Sequence, residues 1–247
     1  MEWLRVSELE DWRLPPDTLH LWLVDRREWE TEEARFWGIL SDLERRRANR
    51  FLQKRDRRAF ILGRGLLRLF LSHYLHHPPQ TLTFTYSDQG KPALVSSPLQ
   101  FNLSHSGEFA LYGFTRQTPL GVDLEKIRPL PHLKLAQRFF QPQEYQALSR
   151  LPPRDQELAF FRIWTRKEAY LKATGEGIAA LNTVQVSVTP EHPPSLLRLD
   201  AQSTDTSAWV LGDLPPLSGY VGAFALMESL AYWTFTLSPT KKIWGGG

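Results

Sequence analysis

Cysteine is absent from all 247 residues, so disulfides, thiolate metal sites and cysteine nucleophiles are excluded. No apolar run approaches the roughly 18 residues that a membrane-spanning helix requires. The opening MEWLRVSELEDW is acidic and lacks the basic-then-apolar layout of a secretory leader. A G-x-x-x-x-G-K-[ST] phosphate loop is missing, which weakens any reading as an ordinary nucleoside triphosphatase. A G-x-S-x-G elbow is missing too, and adjacent strand residues point to opposite faces, so Ser104 and His105 do not form a hydrolase pair. From these absences a cytoplasmic protein with no membrane partner is expected.

An apolar content of 42% supports a real core, and the net charge is only +3. The basic residues are unevenly spread. Residues 45–68 hold nine arginines and Lys54 against one carboxylate, Asp56. Such a stretch suits an anionic partner: nucleic acid, a phosphorylated ligand or an acidic protein. Arg50, Lys54, Arg57, Arg64 and Arg68 could share a helical side and meet a phosphate backbone. The second half is not basic and carries no recognised nucleic-acid module, so nucleic acid is not the expected partner.

The chain also echoes itself. ANRFLQ at 48–53 returns as AQRFFQ at 136–141, each after a strand-like Val-Asp segment and before a longer helical stretch and strand-rich segments. This order predicts an α+β fold of two similar subdomains, 1–117 and 118–235, related by a pseudo-twofold axis. A flexible tail is expected at 236–247.

PLGVDLEK, residues 119–126, reads as a strand with Leu120, Val122 and Leu124 on one face and Gly121, Asp123 and Glu125 on the other. Two like charges on one partly buried face repel each other, and a divalent cation would remove the conflict. In WTRKEAYLK, Trp164, Glu168 and Lys172 follow one another at four-residue spacing on one helix face. An exposed ion pair and a third carboxylate for a cation both remain open there. FNLSHSGEFALYGF, 101–114, reads as strand, Ser-Gly turn, strand, with Asn102, Ser104 and His105 near its tip and a basic GKP at 90–92. His73, His76 and His77 sit near a helix end, where cations suit the dipole.

Taken together, GVDLEK, FNLSHSGEFAL, GKP, RFFQPQEY and FRIWTRKEAYLKATGEG resemble the Sfp-type 4'-phosphopantetheinyl transferases, in the family's order over about residues 20–230. The resemblance implies two α+β halves with coenzyme A bound between them. It also implies Mg2+-dependent transfer of phosphopantetheine to a serine of an apo acyl or peptidyl carrier protein, releasing adenosine 3',5'-bisphosphate, with Mn2+ as an alternative metal. Asp123, Glu125 and Glu168 would hold the metal, and Lys172 would contact the phosphates. Lys91, Ser104 and His105 would bind the nucleotide end, with Arg47 and Arg58 near further basic positions. Glu168, Lys172 and Asp123 are the expected catalytic residues, in an enzyme expected to be a monomer. A non-catalytic carrier-binding module and a different magnesium-dependent phosphotransferase are the rival readings.

Overall fold

The chain runs one plan twice. In the computed structural model, which describes residues 4–5, 13–189, 192–199, 205–227 and 232–237, the short β1 (Leu4–Arg5) precedes the first pass. That pass is β2 (Thr18–Asp25), α1 (Glu33–Ile39), α2 (Asp42–Ala48), α3 (Lys54–Leu75), β3 (Phe84–Tyr86), β4 (Pro92–Leu94), β5 (Gln100–Ser106) and β6 (Phe109–Thr115). The second is β7 (Leu120–Lys126), α4 (His132–Phe139), α5 (Pro142–Arg150), α6 (Pro153–Thr174), β8 (Val184–Val186), β9 (Leu196–Leu199), β10 (Val210–Asp213) and β11 (Tyr220–Leu226). The last strand among the described residues is β12 (Tyr232–Leu237).

Pairing repeats as well as order. The opening strand of each pass pairs antiparallel with its last strand, β2 with β6 and β7 with β11. That last strand pairs in turn with the one before it, β5 or β10. Strands β12 and β1 add in parallel to the far side of β2, giving sheet orders β1-β12-β2-β6-β5 and β10-β11-β7. Residues 232–235 therefore belong to the first sheet. Of the tail expected at 236–247, Thr236 and Leu237 end β12, and the remainder lies outside the described residues.

The long helices α3 and α6 each span 22 residues, and local sequence sets their ends. Pro153 opens α6, where its missing N–H is no loss. Gly175 ends it in the left-handed conformation, φ 85°, that a side chain would disfavour. Strand β2 is buried along nearly all its length, which explains its almost unbroken apolar run. Trp22 and Val24 join the core beneath α3, while Leu19, Leu21 and Leu23 meet Val122, Leu124 and Phe224 between the two sheets.

The echo that suggested duplication is out of register. ANRFLQ links α2 to α3, whereas AQRFFQ links α4 to α5, one helix earlier in the plan. Both segments are helix ends whose glutamine stands at the N-cap position of the next helix, but only Gln141 takes part in a capping box, so the likeness is one of position between helices. The true correspondence is a pair of buried ion pairs. Glu44, third residue of α2, holds Arg68 of α3; Glu144, third residue of α5, holds Lys167 of α6. Each glutamate also closes a capping box.

Candidate active site

The site begins where the two sheets meet edge to edge. Strands β5 and β7 are outer strands of their sheets. The free N–H groups of Val122, Leu124 and Lys126 donate to Asn102 Oδ1 (2.9 Å), Ser104 Oγ (3.3 Å) and Ser106 Oγ (3.0 Å). Alternate β5 side chains thus replace a backbone ladder, as the two-residue period requires. The same serines reach the carboxylates beside those amides: Ser104 Oγ donates to Asp123 Oδ1 and Ser106 Oγ to Glu125 Oε2, both at 2.8 Å.

Helix α6 crosses the other side of β7. A Cβ on Gly121 would lie 2.0 Å from the Ala169 carbonyl oxygen and 2.4 Å from the Ala173 nitrogen. Glycine is there because the helix backbone occupies the space. This close crossing brings Lys172 Nζ to 2.6 Å from Asp123 Oδ1 and 3.1 Å from Ser104 Oγ. Glu168 stands half-buried one turn earlier. Its pKa is raised to about 7 by burial first, then by Asp123 and Glu125, with Lys172 opposing.

The expected set of three metal ligands is not assembled. Among the described residues no group of three or more His, Cys, Asp or Glu side chains is placed to hold a metal ion. Lys172 occupies one oxygen of Asp123, and Glu125 is drawn to Ser106 and to Arg128, 3.3 Å away. Two oxygens nevertheless fit a cation. Asp123 Oδ2 and Glu168 Oε1 are both buried and have no hydrogen-bond partner.

A cavity opens beside Lys172, lined by Arg47, Arg64, Lys91, Asn102 and His105 among others. Arg47, Lys91 and His105 therefore share one cavity wall. Lys91 Nζ also donates to the Ala173 carbonyl (2.8 Å), and burial lowers its pKa to about 8. Two expected phosphate contacts stand elsewhere. Ser104 is buried, and its hydroxyl is taken by Asp123, Lys172 and the Leu124 amide. Arg58 pairs with Glu33 at 3.0 Å and faces a different groove.

Sequence reasoning missed Arg64 as a site residue and grouped it with Arg68 in a basic stripe only under the nucleic-acid reading that it set aside. Both are buried, and Arg68 is held by Glu44, so the stripe is broken. Arg64 lies within 6.0 Å of the ring centres of Phe60, Phe84 and Tyr86. Its Nη1 has no hydrogen-bond partner, and no ion pair forms to it among the described residues. The signal was present: an arginine between Gly63 and Gly65, amid the apolar residues of α3.

Asp123 of β7, paired with Lys172 of α6, thus lies beside a cavity into whose lining Arg47, Arg64, Lys91 and Lys172 bring positive charge, which suits an anionic ligand. The comparisons with known proteins are specific. Residues 119–225 match the model of the 4'-phosphopantetheinyl transferase superfamily, and residues 22–114 match that of the 4'-phosphopantetheinyl transferase N-terminal region. The 4'-phosphopantetheinyl transferase HetI of Nostoc sp. (strain PCC 7120) is 41% identical over 215 residues, covering 85% of this chain and 88% of its own. The 4'-phosphopantetheinyl transferase Sfp of Bacillus subtilis (strain 168) is 32% identical over 157 residues, 63% and 69% of the two chains. A holo-[acyl-carrier-protein] synthase structure from Thermotoga maritima aligns at TM-score 0.34 and 19% identity over 45% of this chain and 64% of that one, too slight to carry an argument. The chain belongs to the 4'-phosphopantetheinyl transferase superfamily and is an enzyme of that class.

Proposed function

We propose that the protein moves the phosphopantetheine arm of coenzyme A onto a serine of an apo acyl or peptidyl carrier protein. The observation that carries this reading is the junction of Asp123, Lys172 and Glu168 beside the cation-lined cavity. In this reading Arg47, Arg64, Lys91 and His105 bind the phosphates of the nucleotide end. The serine oxygen forms a bond to the β-phosphorus while the bridging P–O bond breaks, releasing adenosine 3',5'-bisphosphate. Glu168 accepts the serine proton, for which a pKa near 7 is well matched. Lys172 holds the leaving phosphate and steadies the charge on its oxygen.

Asp123 and Glu168, with Glu125 at their edge, would hold a divalent cation, Mg2+ or Mn2+. That ion would supply further charge neutralisation at the diphosphate. One chain supplies both walls of the cleft, which supports action as a monomer, and coenzyme A chemistry agrees with the expected cytoplasmic setting. Among the described residues no helix is long and apolar enough to cross a membrane. The test is to mix protein, coenzyme A, magnesium and an apo acyl carrier protein and weigh the carrier by mass spectrometry. A gain of one phosphopantetheine is expected; an unchanged mass with acyl and peptidyl carriers alike rejects the reading.

A further inference from the structure

Three β5 side chains accept from three β7 amides, and they are not alike. Ser104 and Ser106 receive the N–H groups of Leu124 and Lys126, whereas Asn102 receives that of Val122. A serine hydroxyl is therefore enough for this junction, and the asparagine at the third rung needs another reason. The rungs differ in what stands beside the amide. Each serine passes its proton to the neighbouring carboxylate, Ser104 to Asp123 and Ser106 to Glu125. Beside the Val122 amide stands Gly121, which offers no acceptor side chain and is covered by the backbone of α6.

Asn102 thus brings a donor to a rung that has no protein group to receive it. Its Oδ1 accepts from an N–H, which fixes the orientation of the amide and makes the other atom the nitrogen. Among the described residues Nδ2 donates to none, and it is not sealed from solvent as Asp123 Oδ2 is. The residue is 7% exposed and lines the cavity together with Lys91, Leu171 and Lys172. Lys172 Nζ stands 3.1 Å from Ser104 Oγ, one rung away, and alternate residues of a strand lie about 6.6 Å apart. Donors so spaced can hold one phosphate from two sides. We propose that Asn102 Nδ2 binds the phosphate that leaves with the adenosine, the one that Lys172 holds from its other side. The inference rests on the transferase reading above. Because Val122 holds the far end of the amide, the donor is aimed before the ligand arrives, so the phosphate is oriented as well as neutralised.

The test is titration calorimetry with two nucleotides on the wild type, Asn102→Ser and Asn102→Asp. Adenosine 3',5'-bisphosphate carries the phosphate in question, and adenosine 3'-monophosphate lacks it. Asn102→Ser copies the rungs at Ser104 and Ser106, and Asn102→Asp keeps the shape of the side chain. Both retain an acceptor for the Val122 amide and lose the amide nitrogen. Asn102→Ser should weaken the bisphosphate about ten- to a hundredfold, as loss of a hydrogen bond to a charged group implies, and change the monophosphate by less than about twofold. Asn102→Asp should weaken the bisphosphate further, by setting a carboxylate against the phosphate. Both unliganded variants should melt within about 4 °C of the wild type, since the Val122 amide keeps its partner. Unchanged bisphosphate affinity in the two variants overturns the proposal. Equal weakening of both nucleotides by Asn102→Ser also overturns it, because the amide would then meet the adenosine or its 3' end. A much larger fall in melting temperature in both variants would make Asn102 a structural residue, and the proposal falls. A wild type that binds neither nucleotide and transfers nothing to a carrier rejects the transferase reading itself, a result distinct from these.

Discussion

Ser104 Oγ donates to Asp123 Oδ1 at 2.8 Å while accepting from the Leu124 amide and from Lys172. One hydroxyl thus joins the two sheets and fixes the side chain on which the candidate site turns. With Oδ1 committed to Ser104 and Lys172, the unpartnered Oδ2 is the oxygen left for a ligand. Ser106 repeats the arrangement two residues on, at Glu125 and the Lys126 amide.

Replacing Ser104 by alanine should therefore impair chemistry more than cofactor binding. A hydrogen bond to a charged group is worth about 1.5–3 kcal/mol, so kcat should fall roughly ten- to a hundredfold. The coenzyme A KM should move by less than about threefold. The magnesium concentration for half-maximal rate should rise. Full kinetics of Ser104→Ala check this, and a change confined to the coenzyme A KM would return Ser104 to the phosphate contacts.

Lys167 and Glu168 are neighbours with opposite duties. Lys167 is fully buried, paired with Glu144 and donating to the Val184 carbonyl at 2.5 Å. Lys167→Met should cost about 3–5 kcal/mol of folding stability by leaving Glu144 buried without its cation. Adding Glu144→Gln should recover part of that loss, because the stranded charge disappears. Urea unfolding of the single and double variants measures both. Additive losses would show that the two side chains do not act as a unit.

The alternation of GVDLEK and the four-residue spacing of Glu168 and Lys172 made the carboxylate face and its facing helix readable in the sequence. Gly121 was visible, but its reason was not, since the helix backbone that fills its missing side chain comes from residues 169–173. Long-range partnerships escaped for the same cause. A serine that holds an aspartate 19 residues later looks in sequence like a free phosphate contact. Arg68 looks like part of a basic surface until Glu44 is brought to it through folding. Charge runs give composition; burial decides which charges face a ligand.

Arg64 tests that distinction. The residue is 8% exposed, and its guanidinium lies among three aromatic rings and keeps Nη1 without a hydrogen-bond partner at the cavity beside Lys172. Arg64→Gln should raise the coenzyme A KM about ten- to a hundredfold, as loss of a charge-assisted bond implies, with kcat within a fewfold. Inhibition by adenosine 3',5'-bisphosphate should weaken in proportion. Titration calorimetry with that nucleotide reads the effect without turnover, and unchanged affinity would leave Arg64 a structural residue.

Glu168 links stability to function through its proton. Its pKa stands near 7 in the fold against 4.5 ordinarily, so the folded state holds a proton that the unfolded chain releases. The contribution is fully present below about 4.5, is lost as pH rises toward 7, and stays lost above it. Ionised Glu168 then faces Asp123 and Glu125 across a half-buried gap. Glu168→Gln should consequently be more stable than wild type at pH 8, by about 1–2 kcal/mol once solvent screening is allowed for, and similar to it at pH 4.5. The same substitution should abolish transfer. Magnesium should raise the melting temperature of the wild type at pH 8, and much less at pH 6, where the cation must displace the proton. The variant should lose most of that response. Thermal unfolding with and without magnesium at the two pH values measures all of this in protein that turns nothing over. A wild type indifferent to magnesium at both would remove the metal from Glu168 while leaving its role as proton acceptor to be judged by the pH-rate profile, which should fall below about pH 7.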